Sequence, residues 1–409
     1  MIGNVLVGQS GGPTAVINSS LAGVFKAAKE RGANKVYGML YGIQGLLEEK
    51  YVNLDERLKS EMEIELLKRT PSSYLGSCRY KLPEYSMEPE VYEKIFAILN
   101  KLEVEYFFYI GGNDSMDTIK KLSEYAIIIK SNIRFIGVPK TIDNDLEATD
   151  HTPGYGSAAK FIAATTKEII RDSLVYDQRN LTIIEIMGRN VGWLTGASAL
   201  AESHDCEGPD MIFLPEVAFD LDHFFEKVKK LQEAKKSVVV AISEGIRLAD
   251  GRYVCELTDS AKYTDEFGHT MLTGAATYLA NKAAGVLGCK TRAIELNTLQ
   301  RCASHMASLV DITEAFQVGA AAVNAAFNGE TGKMIILKRV SDNPYQCATD
   351  TFDIHKIANM EKKVPLTWID REKDTVTNEF IEYVRPLIQE ELTPIMIGGL
   401  PRHLNIKNK

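Results

Sequence analysis

The feature that most constrains this chain is a recurring pair. A short, nearly unbroken apolar run ends at glycine or proline, and a helical pattern follows. NVLVGQSGG leads into Ile17, Leu21, Val24, Phe25 and Ala28, which recur at helical spacing. FFYIGG precedes a predicted helix over 115–125, with IRFIGVP as the next run. NLTIIEIMG precedes RNVGWLTGASALA, and SVVVAISEG and AIEL read as further strands before an Ala-rich helix over 315–327. Strands that are apolar throughout are buried on both faces, as in parallel sheets covered by helices. The expected class is therefore α/β. Pro13 suits a first helical turn. The lysine-rich stretch 227–236 reads as a solvated helix face. From about Asp342 onward no clear motif stands out, and packing or a regulatory surface are both open.

A length of 409 residues allows two or three domains. The formal charge of −8 argues against a broad nucleic-acid surface. The six cysteines form no CxxC pair, which points to reduced thiols. No apolar run reaches membrane-spanning length, and no basic segment precedes the N-terminal apolar stretch. The expectation is a cytoplasmic protein with neither nucleic-acid nor membrane partners.

Three glycine-bearing turns follow strands, at Gly11-Gly12, Gly111-Gly112 and Gly188. Ligands of open α/β sheets bind at such carboxyl ends. None of the turns is GxGxxG or a Walker sequence, which disfavours dinucleotide binding and P-loop chemistry. The densest polar stretch is PKTIDNDLEATDHTPG, 139–154. If extended, it puts Thr141, Asp143 and Asp145 on one side, beside Lys140. The alternative is a turn whose side chains hold their own backbone. Arg179 precedes a strand, Arg189 follows one, and Arg292 and Arg301 flank AIELNTLQ. An arginine at the carboxyl end of a buried strand is placed to fork a phosphate. Paired carboxylates, glycine turns and arginines together point to phosphoryl transfer onto a phosphorylated acceptor.

In order, the chain carries GQSGGPTAVIN, YLGSCR, IGGNDS, GVPKTIDND, TDHTPGYGSA, DQR, EIMGRNVGWL, PEV, ISEG and TRAIELNTLQR. With these motifs it resembles the phosphofructokinases over roughly residues 3–330. The resemblance implies two similar Rossmann-like domains with parallel-rich sheets and an active site in the cleft between them. A phosphoryl-donor domain would take 1–150 with about 300–345. A fructose 6-phosphate domain would take 151–299 with about 346–409. It implies Asp143 as proton acceptor for the sugar 1-hydroxyl, with Thr141 and Asp145 shaping the acceptor and metal side. Met187, Gly188 and Arg189 would hold the sugar phosphate and the transferring group. Glu244 would bind sugar hydroxyls and Arg301 the 6-phosphate, with Thr298 adding a hydrogen bond. Arg179 and Arg292 match residues that reach across from a neighbouring subunit. Gly11, Gly12, Gly112 and Arg79 lie on the donor side. The implied cofactor is Mg²⁺, and the implied assembly is a homodimer or homotetramer.

The departures from the pattern carry the donor reading. ATP-using bacterial members typically read GGDGS and PGTIDND, whereas this chain reads GGNDS and PKTIDND. Similar substitutions mark members that use pyrophosphate. Asp114 would repel the α-phosphate of ATP. Two unit charges about 4 Å apart at an effective dielectric of about 20 repel by roughly 4 kcal/mol, about a thousandfold in binding. Pyrophosphate has no α-phosphate, and Lys140 would neutralise its charge as the bond breaks. Alternatively, Asp114 is a helix cap or first-turn acid. Asn113 stands where the metal-linked aspartate is expected, so the metal position falls among Asn113, Asp114, Asp143 and Asp145. Ala22 and Lys26 replace the two arginines of the bacterial effector site, which implies little nucleotide or phosphoenolpyruvate control. The alternatives are an ATP-dependent phosphofructokinase, a sedoheptulose 7-phosphate kinase, or a non-catalytic subunit that binds sugar phosphate. An NAD or lipid kinase is disfavoured by TIDND and MGRNVG in that order.

Overall fold

The computed structural model describes residues 3–257, 272–356 and 361–405. Eleven of its strands build two sheets. The first holds β1 (Asn4–Gln9), β2 (Val36–Met39), β3 (Tyr51–Asn53), β4 (Val104–Gly111), β5 (Arg134–Pro139), β10 (Lys333–Asp342) and β11 (Tyr345–Asp353), in the order β11-β10-β5-β4-β1-β2-β3. The second holds β6 (Asn180–Ile186), β7 (Met211–Phe213), β8 (Ser237–Ser243) and β9 (Lys290–Glu295), in the order β7-β8-β6-β9, parallel throughout.

Period-2 alternation explains why the runs look uniformly apolar. In the first sheet Val5, Val7, Phe108 and Ile110 enter one core, while Leu6, Phe107 and Tyr109 enter the core on the other face. In the second, Ile184 and Ile186 face one core and Leu181 and Ile183 the other. Helices Ile17–Glu30 and Leu309–Phe327 cover the first of these cores, and Asn113–Ile128 lies on the opposite face. Helix Tyr155–Ser173 covers the second sheet. The helix after β1 begins at Ile17, so Pro13 lies in the preceding turn rather than in the helix. Helix Leu221–Ala234 carries most of the lysine-rich stretch on its exposed side. No disulfide joins any two of the cysteines. Among the described residues no helix is long and apolar enough to cross a membrane.

The end of the chain departs from the division drawn near residue 345. β11 pairs antiparallel with β10, because a tight connection returns the chain directly beside its own strand. Residues 345–353 therefore belong to the first sheet. Phe380, Val384 and Leu387 then enter a core of the second sheet. Finally, Arg69 donates to the Thr393 carbonyl and Leu404 N–H to Thr70, returning the tail to the first unit.

Candidate active site

In the first sheet β1 lies between β2 and β4, and the chain leaves β1 and β4 toward opposite sides. A crevice at such a reversal, at the carboxyl ends of the strands, is where open α/β sheets bind ligands. Gly11 and Gly12 follow β1, Gly112 follows β4, and Lys140 follows β5. Lys140 is buried, and its Nζ donates to the carbonyls of Ser10 (2.9 Å) and Gly12 (2.7 Å). Gly11 has φ +75°, and a Cβ there would sit 3.5 Å from Lys140 Nζ. A Cβ on Gly12 would lie 3.2 Å from Arg301 Nη1. These contacts bring Gly11, Gly12, Lys140 and Arg301 together.

Helix Asn113–Ile128 opens toward the same crevice, with Gly112 at its N-cap and no side-chain cap. Asp114 is half-buried in the first turn, and its carboxylate has no hydrogen-bond partner among the described residues. The capping reading of Asp114 therefore does not hold. As a first-turn acid it is still favoured by the helix dipole.

The polar stretch after β5 is not extended. Asn144 has φ +57° and Ala148 φ +68°, so side-chain alternation breaks at the centre. Thr141 and Asn144 do what the turn reading expects: Asp143 N–H donates to Thr141 Oγ1 (3.1 Å) and Thr152 N–H to Asn144 Oδ1 (3.0 Å). Asp143 and Asp145 are half-buried and close enough for their charges to act on each other.

The second sheet supplies the opposite wall. After β6, Gly188 has φ +146° and Arg189 φ +51°, a left-handed backbone at a non-glycine residue. Glu244, after β8, accepts the N–H groups of Gly188 (3.3 Å) and Arg189 (3.1 Å) on one oxygen. Met187 is partly buried and packs against the core of the second sheet. A Cβ on Gly245 would fall 1.5 Å from the Arg189 carbonyl oxygen. Gly245 is thus the residue that lets the two turns nest.

The charges act on one another. Burial pushes Lys140 down to about 8, against the pull of Asp143 and with the push of Arg301 and Arg79. Burial raises Asp143, while Arg189, Lys140 and Arg301 hold it down. Asp145 rises to about 7 through burial and the nearby Asp143 charge. Glu244 rises to about 8 by burial and by Asp143, against its two backbone donors. Residues from 79 to 301 thus form one electrostatic unit.

Among the described residues no group of three or more His, Cys, Asp or Glu side chains is arranged to hold a metal. Asn113 does something else: its Nδ2 donates to Asp145 Oδ2 at 3.0 Å. Asp143 and Asp145 do suit a hard divalent cation, which would relieve their mutual repulsion and which in phosphoryl-transfer sites takes few protein ligands.

Arg179 and Arg292 are not in this cleft. Arg179 lies just before β6 and is exposed. Arg292, also exposed, pairs with Asp172 at 2.9 Å. Arg189 lies beyond the other end of β6. Thr298 is exposed beyond β9. Ala22 is buried, and Lys26 pairs with Glu61 at 3.0 Å.

Sequence reasoning missed Lys362, Tyr383 and Glu216. Tyr383 Oη accepts from Asn144 Nδ2 (2.9 Å) and donates to the Asp150 carbonyl (2.6 Å). Glu216 Oε1 accepts the N–H groups of Gly192 (2.8 Å) and Val364 (3.1 Å). PEV was the available signal for Glu216; Lys362 and Tyr383 had none.

The phosphofructokinase family description matches residues 4–326. The pyrophosphate–fructose 6-phosphate 1-phosphotransferase of Xanthomonas campestris is 40% identical over 99% of this chain and 96% of its own. That of Halomonas elongata is 37% identical over 98% and 95%. The crystal structure of a pyrophosphate-dependent phosphofructokinase from Marinobacter aquaeolei superposes with a TM-score of 0.88 at 36% identity. It covers 100% of this chain and 97% of its own.

Proposed function

The chain belongs to the phosphofructokinase family, and from that premise we propose that it transfers a phosphoryl group from pyrophosphate to the 1-hydroxyl of fructose 6-phosphate, reversibly. The products are fructose 1,6-bisphosphate and phosphate. The observation that carries the donor assignment is Asp114. Its carboxylate has no hydrogen-bond partner among the described residues and stands in the first turn of the helix that opens on the donor crevice, whose N-cap Gly112 lies beside the Lys140 carbonyl. Relatives named for pyrophosphate match nearly the whole of both chains, which supports the same reading.

Asp143 accepts the proton of the 1-hydroxyl. Burial raises its pKa, while Arg189, Lys140 and Arg301 favour the ionised form that accepts the proton. The freed oxygen attacks the terminal phosphorus, and the bond to the bridging oxygen breaks. Phosphate leaves with that electron pair. Lys140 and Arg189 offset the charge that spreads over the transferring group. Gly11 and Gly12 let the donor approach the backbone, with Arg79 on the same side. Arg301 holds the 6-phosphate, and Glu244 meets the sugar hydroxyls with its second oxygen. Asp145 and Asp143 would hold Mg²⁺, which when bound neutralises donor charge. A dimer or tetramer would bring Arg179 and Arg292 to a neighbouring cleft.

The test is a coupled assay with fructose 6-phosphate, comparing pyrophosphate with ATP. Turnover with pyrophosphate is expected. Turnover with ATP and none with pyrophosphate would overturn the donor assignment.

A further inference from the structure

The segment that lacks motifs grips the catalytic loop from behind. Lys362 N–H donates to the Asp145 carbonyl at 2.9 Å, and Glu361 pairs antiparallel with Leu146. Lys362 Nζ donates to the carbonyls of Asp150 and of Thr149, the latter at 3.2 Å. On its other side the same strap holds the arginine turn. Trp193 Nε1 donates to the Lys362 carbonyl at 2.8 Å. Val364 N–H and Gly192 N–H share the Glu216 oxygen. Four residues, 361–364, are thus bonded both to the loop that carries Asp143 and to the segment that follows Arg189.

The loop needs such a hold. Asn144 and Ala148 are non-glycine residues in left-handed conformations, Ala148 at a steric cost. Such a backbone persists only where its surroundings over-determine it. The Lys362 ammonium lies 5.2 Å from the Trp193 ring centroid and 5.5 Å from that of Tyr383, whose hydroxyl accepts from it at 3.4 Å. Burial lowers its pKa to about 8, against Asp150 and Glu147. The side chain is half-buried, and its hydrogen bonds go to the carbonyls of this loop and to the Tyr383 hydroxyl.

We propose that Lys362 is a positioning residue, and that the strap it anchors sets the placement of Asp143 relative to Arg189. This rests on the assignment of those two residues to the reacting groups. A displacement of about 1 Å at a reacting group can cost about a hundredfold in rate. Lys362 touches no proposed substrate position, so its loss falls on kcat rather than on KM.

The experiment compares the parent enzyme with Lys362→Met and Lys362→Arg in steady-state kinetics, each with the donor the parent uses. The only two tryptophans, Trp193 and Trp368, lie 6.1 Å apart beside the strap, so their emission reports whether it is seated. In Lys362→Met, kcat should fall about tenfold to a hundredfold. Both KM values should stay within about twofold and the emission should not change, while Lys362→Arg should restore most of kcat. An unchanged kcat, KM values that rise as far as kcat falls, or an arginine variant no better than methionine would each overturn the proposal. Should the methionine variant shift the emission, the arginine variant decides. Then kcat near the parent's supports the proposal, and a tenfold loss with a seated strap overturns it. A parent that turns over ATP alone refutes the donor reading, while the same ratios still test the strap.

Discussion

Lys140 and Lys362 stand at the two ends of one loop in nearly the same chemical state. Lys140 is buried and Lys362 half-buried, each is pushed down to about 8 by desolvation, and each places its ammonium on two backbone carbonyls. Their other neighbours differ. Lys140 feels Asp143, Asp145, Arg301 and Arg79, and glycine leaves space beside it. Lys362 faces the rings of Trp193 and Tyr383. The difference teaches that a desolvated lysine's task is set by what lies around it after its carbonyls are satisfied. On the roles proposed above, charged neighbours and open space suit Lys140 to the reaction, and aromatic neighbours suit Lys362 to fastening.

The comparison breaks first, if it breaks, at Lys140→Met. We expect kcat to drop by about 10²–10³ with a raised KM for the donor, because a charge aimed at the transferring group is lost. Kinetics matching those of Lys362→Met, with KM unmoved, would mean that both lysines only fasten. A smaller effect is expected from Asp114→Gly. The bare Coulomb estimate is about a thousandfold, but a half-exposed carboxylate is screened. The kcat/KM ratio of ATP to pyrophosphate should therefore rise by about ten- to a hundredfold, and an unchanged ratio removes Asp114 from donor choice.

The smallest effect on turnover concerns His151, next to the Asp150 carbonyl that Lys362 holds. Its ring bridges Asp150 (2.8 Å) and Glu314 (2.7 Å). Burial opposes its charge, but those two carboxylates outweigh it and raise its pKa to about 9. The stabilisation is complete below the unfolded value of about 6.5 and is lost as pH rises through about 9, on the order of 3 kcal/mol. Urea midpoints of the parent should fall across that window, and His151→Gln should flatten the slope while leaving kcat within about threefold.

How legible each part was follows from where its partners lie. β1, β4, β5, β6 and β8 are apolar on both faces and announce themselves. β11 reads YQCATDTFD, a mostly open edge with no apolar run, and β3 and β7 have three residues each. Lys140, Asp143, Arg189 and Glu244 were legible because each directly follows a buried strand or sits in a contiguous motif. Asp143 and Asp145 do come together, but by a turn rather than by strand alternation, because the left-handed Asn144 lies between them. Lys362 was invisible because its partners are backbone carbonyls more than 200 positions away. A carbonyl looks the same whatever the residue, so no side-chain pattern marks the pairing.

The path of the last third of the chain limits how the protein can be re-engineered. After β9 it visits the first unit in Leu309–Phe327 and β10–β11, the second in 361–388, and the first again at Leu404. The two sheet units are therefore not cassettes. A chimera spliced at a single point would inherit its strap from one parent and the loop that strap must fit from the other. New acceptor specificity is better sought by substitution within one parent than by exchanging halves.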